Sequence, residues 1–338
     1  MSEIKRNAWL DNFKALLIIC VVIGHVLESY IDDNYILKGI YAFIYVFHMG
    51  AFIFVSGYFS KNDQKAHHTA IRNYFFPYFF FNFLAYTFKN ILTGSTDFSV
   101  INPSWSMWFL LVMFFYRFFL KYIIKIPFHM IISVIMALII SVFPFIKNDV
   151  IIRFFVYLPF FLGGYHCQPH HLQLVKDKLS FKLSWMIILA ILFMMIYLTQ
   201  NDLMRVSLFY NDSPYQNYDV SLLTGMIIRI LNCVLTVVIS CCLLKILPTH
   251  SMVLSHIGQE TGGIYIFHTY WIRVMRLLIP SWPVSMEGQS IVFIGGIIIF
   301  FLSYNPIIIK IYHYLNQLWM NIYDGMYHLI KKTQFTCF

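Results

Sequence analysis

The chemically most informative residue of this chain is a histidine inside an apolar segment. Residues 11–28 read DNFKALLIICVVIGHVLE, which is long enough to span a membrane and contains His25. An ionisable side chain within the bilayer is costly unless it is paired or faces a cavity, so it indicates a functional site. Neutral imidazole suits general-base chemistry, because its ordinary pKa of ~6.5 is close to physiological pH. His25 is therefore the first candidate catalytic residue.

Two charged residues share the helix face of His25. Lys14 precedes it by eleven positions, and at about 100° and 1.5 Å per residue the two side chains point the same way, roughly 16 Å apart along the axis. Asp11 is predicted to pair with Lys14. Glu28 follows His25 by three positions, so it either orients the imidazole as part of a catalytic site or marks the outer edge of the membrane.

A second histidine lies at a matching depth in the next apolar segment. His48, in YVFHMGAFIFVSGYF, comes ten residues after Lys38, which corresponds to about 15 Å of helix. If the two helices are antiparallel, His25 and His48 face each other in the middle of the membrane as a catalytic pair. The alternative is that each histidine only forms a hydrogen bond to a neighbouring helix.

A basic cluster follows the second apolar segment in SKNDQKAHHTAIRNYFFPYF. Lys61, Lys65 and Arg72 suit an anionic ligand, and arginine in particular offers a planar fork for phosphate or carboxylate. The excess of basic residues in cytoplasmic loops explains the two lysines equally well, but it explains Arg72 less well. The pair His67–His68 has no carboxylate or cysteine at ligand spacing, so no metal site is expected.

Candidate sugar-binding residues lie in later segments. Trp105 and Trp108 begin an apolar segment, where tryptophan is typical of the membrane interface but also suits a sugar-binding surface. His268, in GQETGGIYIFHTYWIRVMR, has a catalytic or binding role or forms an interhelical hydrogen bond. Residues 201–219 are rich in Tyr, Asn and Asp, whose side chains can stack on carbohydrate or form hydrogen bonds with it.

The elements that carry these residues are predicted to be transmembrane helices. The chain has 338 residues, of which 59% are hydrophobic and 12% charged, and its mean hydropathy is +0.69. These values exclude a soluble globular domain and predict an all-α bundle of about ten membrane helices. The apolar segments are 10–30, 37–60, 73–92, 105–122, 128–146, 151–166, 184–200, 220–247, 261–280 and 288–311.

The distribution of charge predicts the orientation and the domain limits. Lys5, Arg6 and the cluster at 61–72 fall on one side, whereas acidic residues such as Asp32, Asp33 and Glu287 fall on the other. Both termini are therefore predicted to be cytoplasmic. Residues 1–311 form the membrane domain, and residues 312–338 form an amphipathic tail helix on the inner leaflet, followed by Lys331 and Lys332. The net charge of +9 fits this asymmetry and gives no reason to expect nucleic-acid binding.

Together, these motifs resemble acyltransferase family 3, the bacterial integral-membrane O-acyltransferases, and especially their fucose-acetylase-like, polysaccharide-modifying branch. The resemblance lies in LDNFKALLIICVVIGH, FHMGAFIFVSGYF, the segment from Arg72 to Pro77, WSMWFLL, FFLGG and GIYIFHTYW, in the expected order. The family pattern of a basic residue, ten others and a histidine is met by Lys14 and His25. The basic residue is more often arginine in the family.

The resemblance implies transfer of an acetyl or other acyl group from cytoplasmic acyl-CoA to a hydroxyl of a surface polysaccharide, or of its lipid-linked precursor, at the bacterial plasma membrane. His25 would be the general base or carry a transient acetyl group, with His48 and Glu28 beside it. The other expected contacts are with acyl-CoA for Lys14, Arg72, Lys61 and Lys65, and with the acceptor for Trp105, Trp108 and His268. No metal ion is expected. The expected partners include membrane lipid, and the chain could form a homodimer.

Two other classes fit the apolar segments. A transporter or flippase for a lipid-linked glycan would use His25 and His48 as a proton relay. A non-catalytic membrane subunit of a polysaccharide assembly would need neither histidine for chemistry. Against the transporter, no inverted repeat or pair of broken helices is visible in the sequence.

Overall fold

A computed structural model describes residues 7–31, 34–279 and 286–336, with side chains described up to residue 279 and from 291 to 326. Every regular element within these residues is helical, which confirms the all-α prediction. The α helices are α1 (Ala8–Leu27), α2 (Tyr35–Tyr58), α3 (Asp63–Ala70), α4 (Phe76–Thr93), α5 (Trp108–Ile123), α6 (His129–Ile139), α7 (Asp149–His166), α8 (Pro169–Lys178), α9 (Phe181–Gln200), α10 (Leu222–Ile246), α11 (Val253–Gln259), α12 (Thr261–Leu278), α13 (Met286–Ser303) and α14 (Pro306–Thr336).

Side-chain caps define where several of the long helices begin. The Asn7 side chain accepts a hydrogen bond from the Leu10 amide at the start of α1, and Asn34 accepts from the amides of Ile36 and Leu37 at the start of α2. Asn and Ser are favoured at this position because their oxygen satisfies an amide that has no partner within the helix. Asn148, Ser180 and Ser221 do the same for α7, α9 and α10.

The chain forms two compact units, and each is interrupted in sequence. The first comprises Met1–Lys61 and Met130–Tyr304, and the second comprises Asn62–His129 and Asn305–Phe338. The first unit therefore contains α1, α2, α6 apart from its first residue, and α7 to α13, and the second contains α3, α4, α5 and α14. The division into a membrane domain 1–311 and a tail 312–338 stays a prediction.

By length and composition, five helices of the described chain can each cross a membrane, or up to seven segments if each of two bent helix pairs forms one span. The predicted number of ten is not confirmed. The segment near 128–146, for example, forms an α helix of only 11 residues before a short 3₁₀ turn, too short to span alone. The five are Ala8–Leu27, Tyr35–Tyr58, Trp105–Ile123, Phe181–Gln200 and Leu222–Ile246, and the bent pairs are Asp149–His166 with Pro169–Lys178 and Ile291–Ser303 with Pro306–Met326.

Helices α9 and α10 present apolar side chains outwards. Met186 and Phe193 on α9 are 66% and 65% exposed, and Leu223 on α10 is 69% exposed. Exposed apolar faces of this extent are unfavourable in water, but they are expected where lipid covers the helix. This surface supports a multi-pass membrane protein.

Within the first unit, α2 packs against α1, α7, α9 and α10. Its contact with α7 is closest at two glycines. A Cβ atom added to Gly57 would lie 2.0 Å from the Phe161 carbonyl oxygen, and one added to Gly164 would lie 1.9 Å from the Phe54 carbonyl oxygen. Small residues allow helix backbones to approach this closely in membranes. These two glycines therefore set the separation of α2 and α7.

The beginning of α1 is held against the region around α11. The Trp9 indole donates to the Leu244 carbonyl oxygen at 2.9 Å, and the Asn12 amide donates to the Pro248 carbonyl oxygen at 2.8 Å. The Ser255 hydroxyl donates to the Asn12 side-chain oxygen at 2.6 Å. Asn12 is fully buried, so these bonds satisfy polar groups that would otherwise be costly.

In the second unit, α14 packs against α4 through aromatic rings. The ring centroids of Phe80 and Trp319 are 4.8 Å apart, and those of Phe76 and Tyr323 are 5.3 Å apart. Residues 312–336 thus belong to α14, but the position of this tail on a membrane leaflet stays a prediction. Some residues covered by the sequence analysis lie outside the described part of the chain. They are Lys5, Arg6, Asp32 and Asp33, and the side chains of Glu287, Leu329, Lys331 and Lys332.

Candidate functional site

His25 lies in the last turn of α1, where three neighbouring groups approach it. Its Nδ1 is 3.3 Å from the Tyr45 hydroxyl and 3.6 Å from Glu28 Oε2. Its ring stacks on that of His268, with centroids 5.4 Å apart. The His25 side chain is 14% exposed, so it is largely shielded from the surroundings but still accessible. A largely buried imidazole with a carboxylate 3.6 Å from one of its nitrogens can act as a general base.

Glu28 also binds Arg276 of α12. Arg276 Nη2 donates to Glu28 Oε2 at 2.9 Å and to the His25 carbonyl oxygen at 3.2 Å. Burial raises the pKa of the Glu28 carboxyl, but the hydrogen bond and charge of His25, together with Arg276, outweigh burial and bring this pKa below its ordinary value. Glu28 is therefore ionised at neutral pH and carries a negative charge beside the imidazole.

The other two predicted histidines have their Nδ1 atoms bound to backbone. His48 Nδ1 lies 2.7 Å from the Ile44 carbonyl oxygen, and His268 Nδ1 lies 3.0 Å from the Ile264 carbonyl oxygen. A carbonyl oxygen only accepts, so each Nδ1 must carry the hydrogen, and in the neutral ring Nε2 is the acceptor. Both side chains are buried, and within the described structure His268 Nε2 has no hydrogen-bond partner.

Tyr45 contacts both His25 and His48. Its ring lies edge-on to His48 with centroids 4.9 Å apart and stacks on Tyr41 at 4.0 Å. Tyr41 in turn donates a hydrogen bond to the Tyr210 hydroxyl at 3.1 Å. Sequence reasoning missed these tyrosines. The signal was the spacing, because Tyr41 and Tyr45 precede His48 by seven and three residues on α2 and so share its helix face.

The predicted lysines of the first unit are engaged in local contacts. Lys14 forms an ion pair with Asp11 at 2.8 Å, which confirms the predicted pairing. It also lies 5.6 Å from the centre of the Phe59 ring, so Lys14 and His25 both face the α2 side of α1, as their spacing predicts. Lys61 donates to the carbonyl oxygens of Gly164, Tyr165 and Cys167. It therefore caps the C-terminal end of α7, where a positive charge is favourable.

In the second unit, the planar fork of Arg72 binds a carboxylate. Arg72 Nε and Nη2 donate to the two oxygens of Asp324 on α14 at 2.9 and 2.6 Å. Lys65 is exposed on α3, and the Asn62 side chain caps its amide. His67 Nδ1 is bound to the Phe118 carbonyl oxygen. The planar fork of Arg72 is thus occupied by an aspartate of the same unit, and its predicted role in binding an anionic ligand stays a prediction.

The two tryptophans belong to the second unit and differ in exposure. Trp108 is 8% exposed, which favours a packing role. Trp105 is half-buried, and its backbone is left-handed, with φ of 46°. A left-handed conformation is uncommon for a bulky residue and marks a position of backbone strain. Trp105 is therefore the more accessible of the two candidates for binding an acceptor.

Among the described residues, no group of three or more His, Cys, Asp or Glu side chains is placed to hold a metal ion. The arrangement around His25 instead consists of an imidazole, a carboxylate, a guanidinium and tyrosine hydroxyls. These groups can move a proton and hold a hydroxyl. The helices and this site define a multi-pass membrane protein with a cluster of titratable side chains at the end of α1.

The family follows from the comparison of the chain with protein-family models. The acyltransferase family 3 model, described as an acyltransferase domain, matches residues 7–309. The chain therefore belongs to this family, and the match supports a membrane acyltransferase over the transporter and the non-catalytic subunit. Neither the curated proteins nor the solved structures give a significant match.

Proposed function

We propose that this protein transfers an acetyl group from cytoplasmic acyl-CoA to a hydroxyl of a surface polysaccharide, or of its lipid-linked precursor, at the bacterial plasma membrane. The observation that carries the proposal is the contact of His25 Nδ1 with ionised Glu28, 3.6 Å away, in a chain of the acyltransferase family. A base oriented by a carboxylate is the pairing that acyl transfer to an alcohol needs. The fucose-acetylase-like branch and the cytoplasmic termini belong to this proposal.

The proposed reaction is a direct transfer. Since Nδ1 of His25 faces Glu28 and Tyr45, Nε2 takes the proton of the acceptor hydroxyl while the hydroxyl oxygen attacks the thioester carbonyl. The tetrahedral intermediate then expels the CoA thiolate, which receives that proton from the imidazolium and leaves as the free thiol. The negative charge of Glu28 stabilises the imidazolium between the two steps. The alternative is an acetyl group carried briefly by His25 itself.

We assign His268 to acceptor binding on the basis of its unpartnered nitrogen. An unpaired polar atom in a fully buried side chain costs free energy, and the atom regains that free energy when a ligand hydroxyl donates to it. His268 stacks on His25, so a hydroxyl bound at its Nε2 would lie near the base. His48 keeps its proposed role as a partner of the base. Trp105 and Trp108 keep theirs as acceptor contacts, and the greater exposure of Trp105 makes it the stronger candidate of the two.

The donor is proposed to bind through basic residues, chiefly Arg72. A guanidinium that already binds a carboxylate through two parallel hydrogen bonds can bind a phosphate in the same way. Lys65 is exposed on the preceding helix and can add to the attraction. Lys14 and Lys61 remain candidates, but their contacts with Asp11 and with the end of α7 must weaken before they bind a phosphate.

The pair of Arg72 and Asp324 gives the first prediction. Asp324→Asn removes the charge that competes for the Arg72 fork, so we expect the KM for acetyl-CoA to fall about two- to tenfold. Arg72→Lys removes the fork but keeps the charge, so we expect KM to rise by a similar factor. The measurement is the initial rate of CoA release against acetyl-CoA concentration. An unchanged KM in both variants, with lower thermal stability, would show that the pair only ties α14 to the second unit.

The test of the proposed function is transfer of labelled acetyl groups. Membranes containing the protein are incubated with acetyl-CoA carrying a radioactive acetyl group, together with glycan-bearing membranes of the host. We expect base-labile label in the glycan fraction and stoichiometric release of CoA, compared with membranes that lack the protein. Release of CoA without label in the glycan would refute the proposed acceptor class. If CoA is not released and the glycan is not labelled, the proposal of an acyl-CoA donor is refuted.

A further inference from the structure

Arg276 contacts α1 at two points through a single nitrogen. Its Nη2 donates to the His25 carbonyl oxygen at 3.2 Å and to Glu28 Oε2 at 2.9 Å. The same Glu28 oxygen lies 3.6 Å from His25 Nδ1. The three side chains therefore form a chain of contacts, in which the Arg276 guanidinium contacts the Glu28 carboxylate and this carboxylate contacts the His25 imidazole.

A contact of this kind can orient Glu28, because burial alone does not fix its side chain. It lies just beyond the last residue of α1, and its side chain is 30% exposed. A carboxylate in this position can rotate into water, and ordering it costs side-chain entropy. The Arg276 side chain is 34% exposed, so the ion pair contributes little to stability. Its main physical effect is on where the carboxylate points.

We propose that Arg276 is a positioning residue for catalysis, which holds the Glu28 carboxylate against the imidazole of His25. The proposal rests on the proposed function of His25 as the base. Arg276 touches neither the donor nor the acceptor in this proposal, so it acts on the chemical step rather than on donor binding. Loss of Arg276 therefore lowers kcat and leaves the KM for acetyl-CoA nearly unchanged.

A double-mutant cycle tests the proposal. Arg276→Gln and Glu28→Gln are each expected to lower kcat about tenfold, which corresponds to about 1.4 kcal/mol and lies in the range of coupling between contacting residues. If Arg276 acts only through Glu28, the double variant has the kcat of Glu28→Gln alone, within about twofold. Arg276→Lys keeps the charge near Glu28 and is expected to retain kcat within about threefold of the wild type.

Arg273→Gln is the matched control, because it removes an arginine from the same helix three residues earlier. Any loss of kcat that Arg273→Gln causes should multiply with the loss caused by Glu28→Gln when the two substitutions are combined. The assay is acetyl transfer from labelled acetyl-CoA to host membranes, normalised to folded protein by size-exclusion chromatography in detergent. The proposal would be overturned if the losses of kcat in Arg276→Gln and Glu28→Gln multiply in the double variant. It would also be overturned if the lower activity of Arg276→Gln disappears once activity is expressed per amount of folded protein.

The outcome separates this inference from the proposed function. If His25→Ala retains full transfer, the assignment of His25 as the base fails, and the role of Arg276 fails with it. If His25→Ala abolishes transfer while Arg276→Gln and Glu28→Gln act independently, His25 remains the base and only the positioning role of Arg276 is refuted.

Discussion

Replacing His25 with alanine is expected to reduce acetyl transfer by a factor of about 10² to 10⁴, the usual contribution of a general base. The side chain is 14% exposed and contacts Tyr45 and His268 through ring edges and faces. Its replacement by alanine therefore removes the contacts with these two rings and with Glu28 and leaves a small cavity. The measurement is transfer from labelled acetyl-CoA to host membranes, with the thermal stability of the purified variant recorded in parallel.

The control for His25→Ala is His170→Ala, which removes an exposed histidine near the start of α8 and should leave the transfer rate within about twofold of the wild type. Undiminished transfer by a folded His25→Ala protein would refute the catalytic assignment. Incubation of the wild type with labelled acetyl-CoA and no acceptor separates the two mechanisms. Label on the protein that disappears in His25→Ala favours an acetyl-histidine, whereas unlabelled protein favours direct transfer.

Replacing Gly164 with alanine is expected to destabilise the first unit by about 3 kcal/mol or more, at the upper end of overpacking effects. The added Cβ would lie 1.9 Å from the Phe54 carbonyl oxygen and 2.8 Å from the Tyr58 amide nitrogen. These are backbone atoms, so no rotation of a side chain relieves the clash, and α7 must move away from α2. Since α2 carries Tyr45 and His48, activity should fall together with stability.

The neighbouring glycine provides a matched control. A Cβ added to Gly163 meets only Phe54 Cδ2, at 3.9 Å, an ordinary contact. Gly163→Ala should therefore be neutral or stabilise the helix by up to about 1 kcal/mol. The measurement is the midpoint of thermal unfolding in detergent and the fraction of monodisperse protein. Equal midpoints for the two variants would show that the close approach of α2 and α7 does not limit stability.

Several features of the site were predictable because they depend on one helix. The periodicity of 3.6 residues places Asp11, Lys14, His25 and Glu28 on one face of α1, and the structure contains both the Lys14–Asp11 pair and the approach of Glu28 to His25. The apolar composition likewise determined the all-α class, since a backbone in lipid must satisfy its hydrogen bonds within the segment or in a closed barrel.

Contacts between helices were beyond the sequence alone. Antiparallel neighbours at equal depth suggested that His25 meets His48, but the structure places Tyr45 in contact with both and stacks His25 on His268. Depth along the membrane does not specify how each helix is rotated about its axis. That rotation depends on packing.

The sequence by itself determined the helical class, the family motifs and the neighbours of His25 along α1, because these follow from composition and helical spacing. Only the tertiary structure decided the partners that are distant in sequence. Arg72 binds Asp324 and Arg276 binds Glu28, while Lys61 caps α7 instead of being free for an anion. The physical reason is that close contacts such as Gly57 and Gly164 fix the spacing of helices, and spacing and rotation together select which polar groups meet.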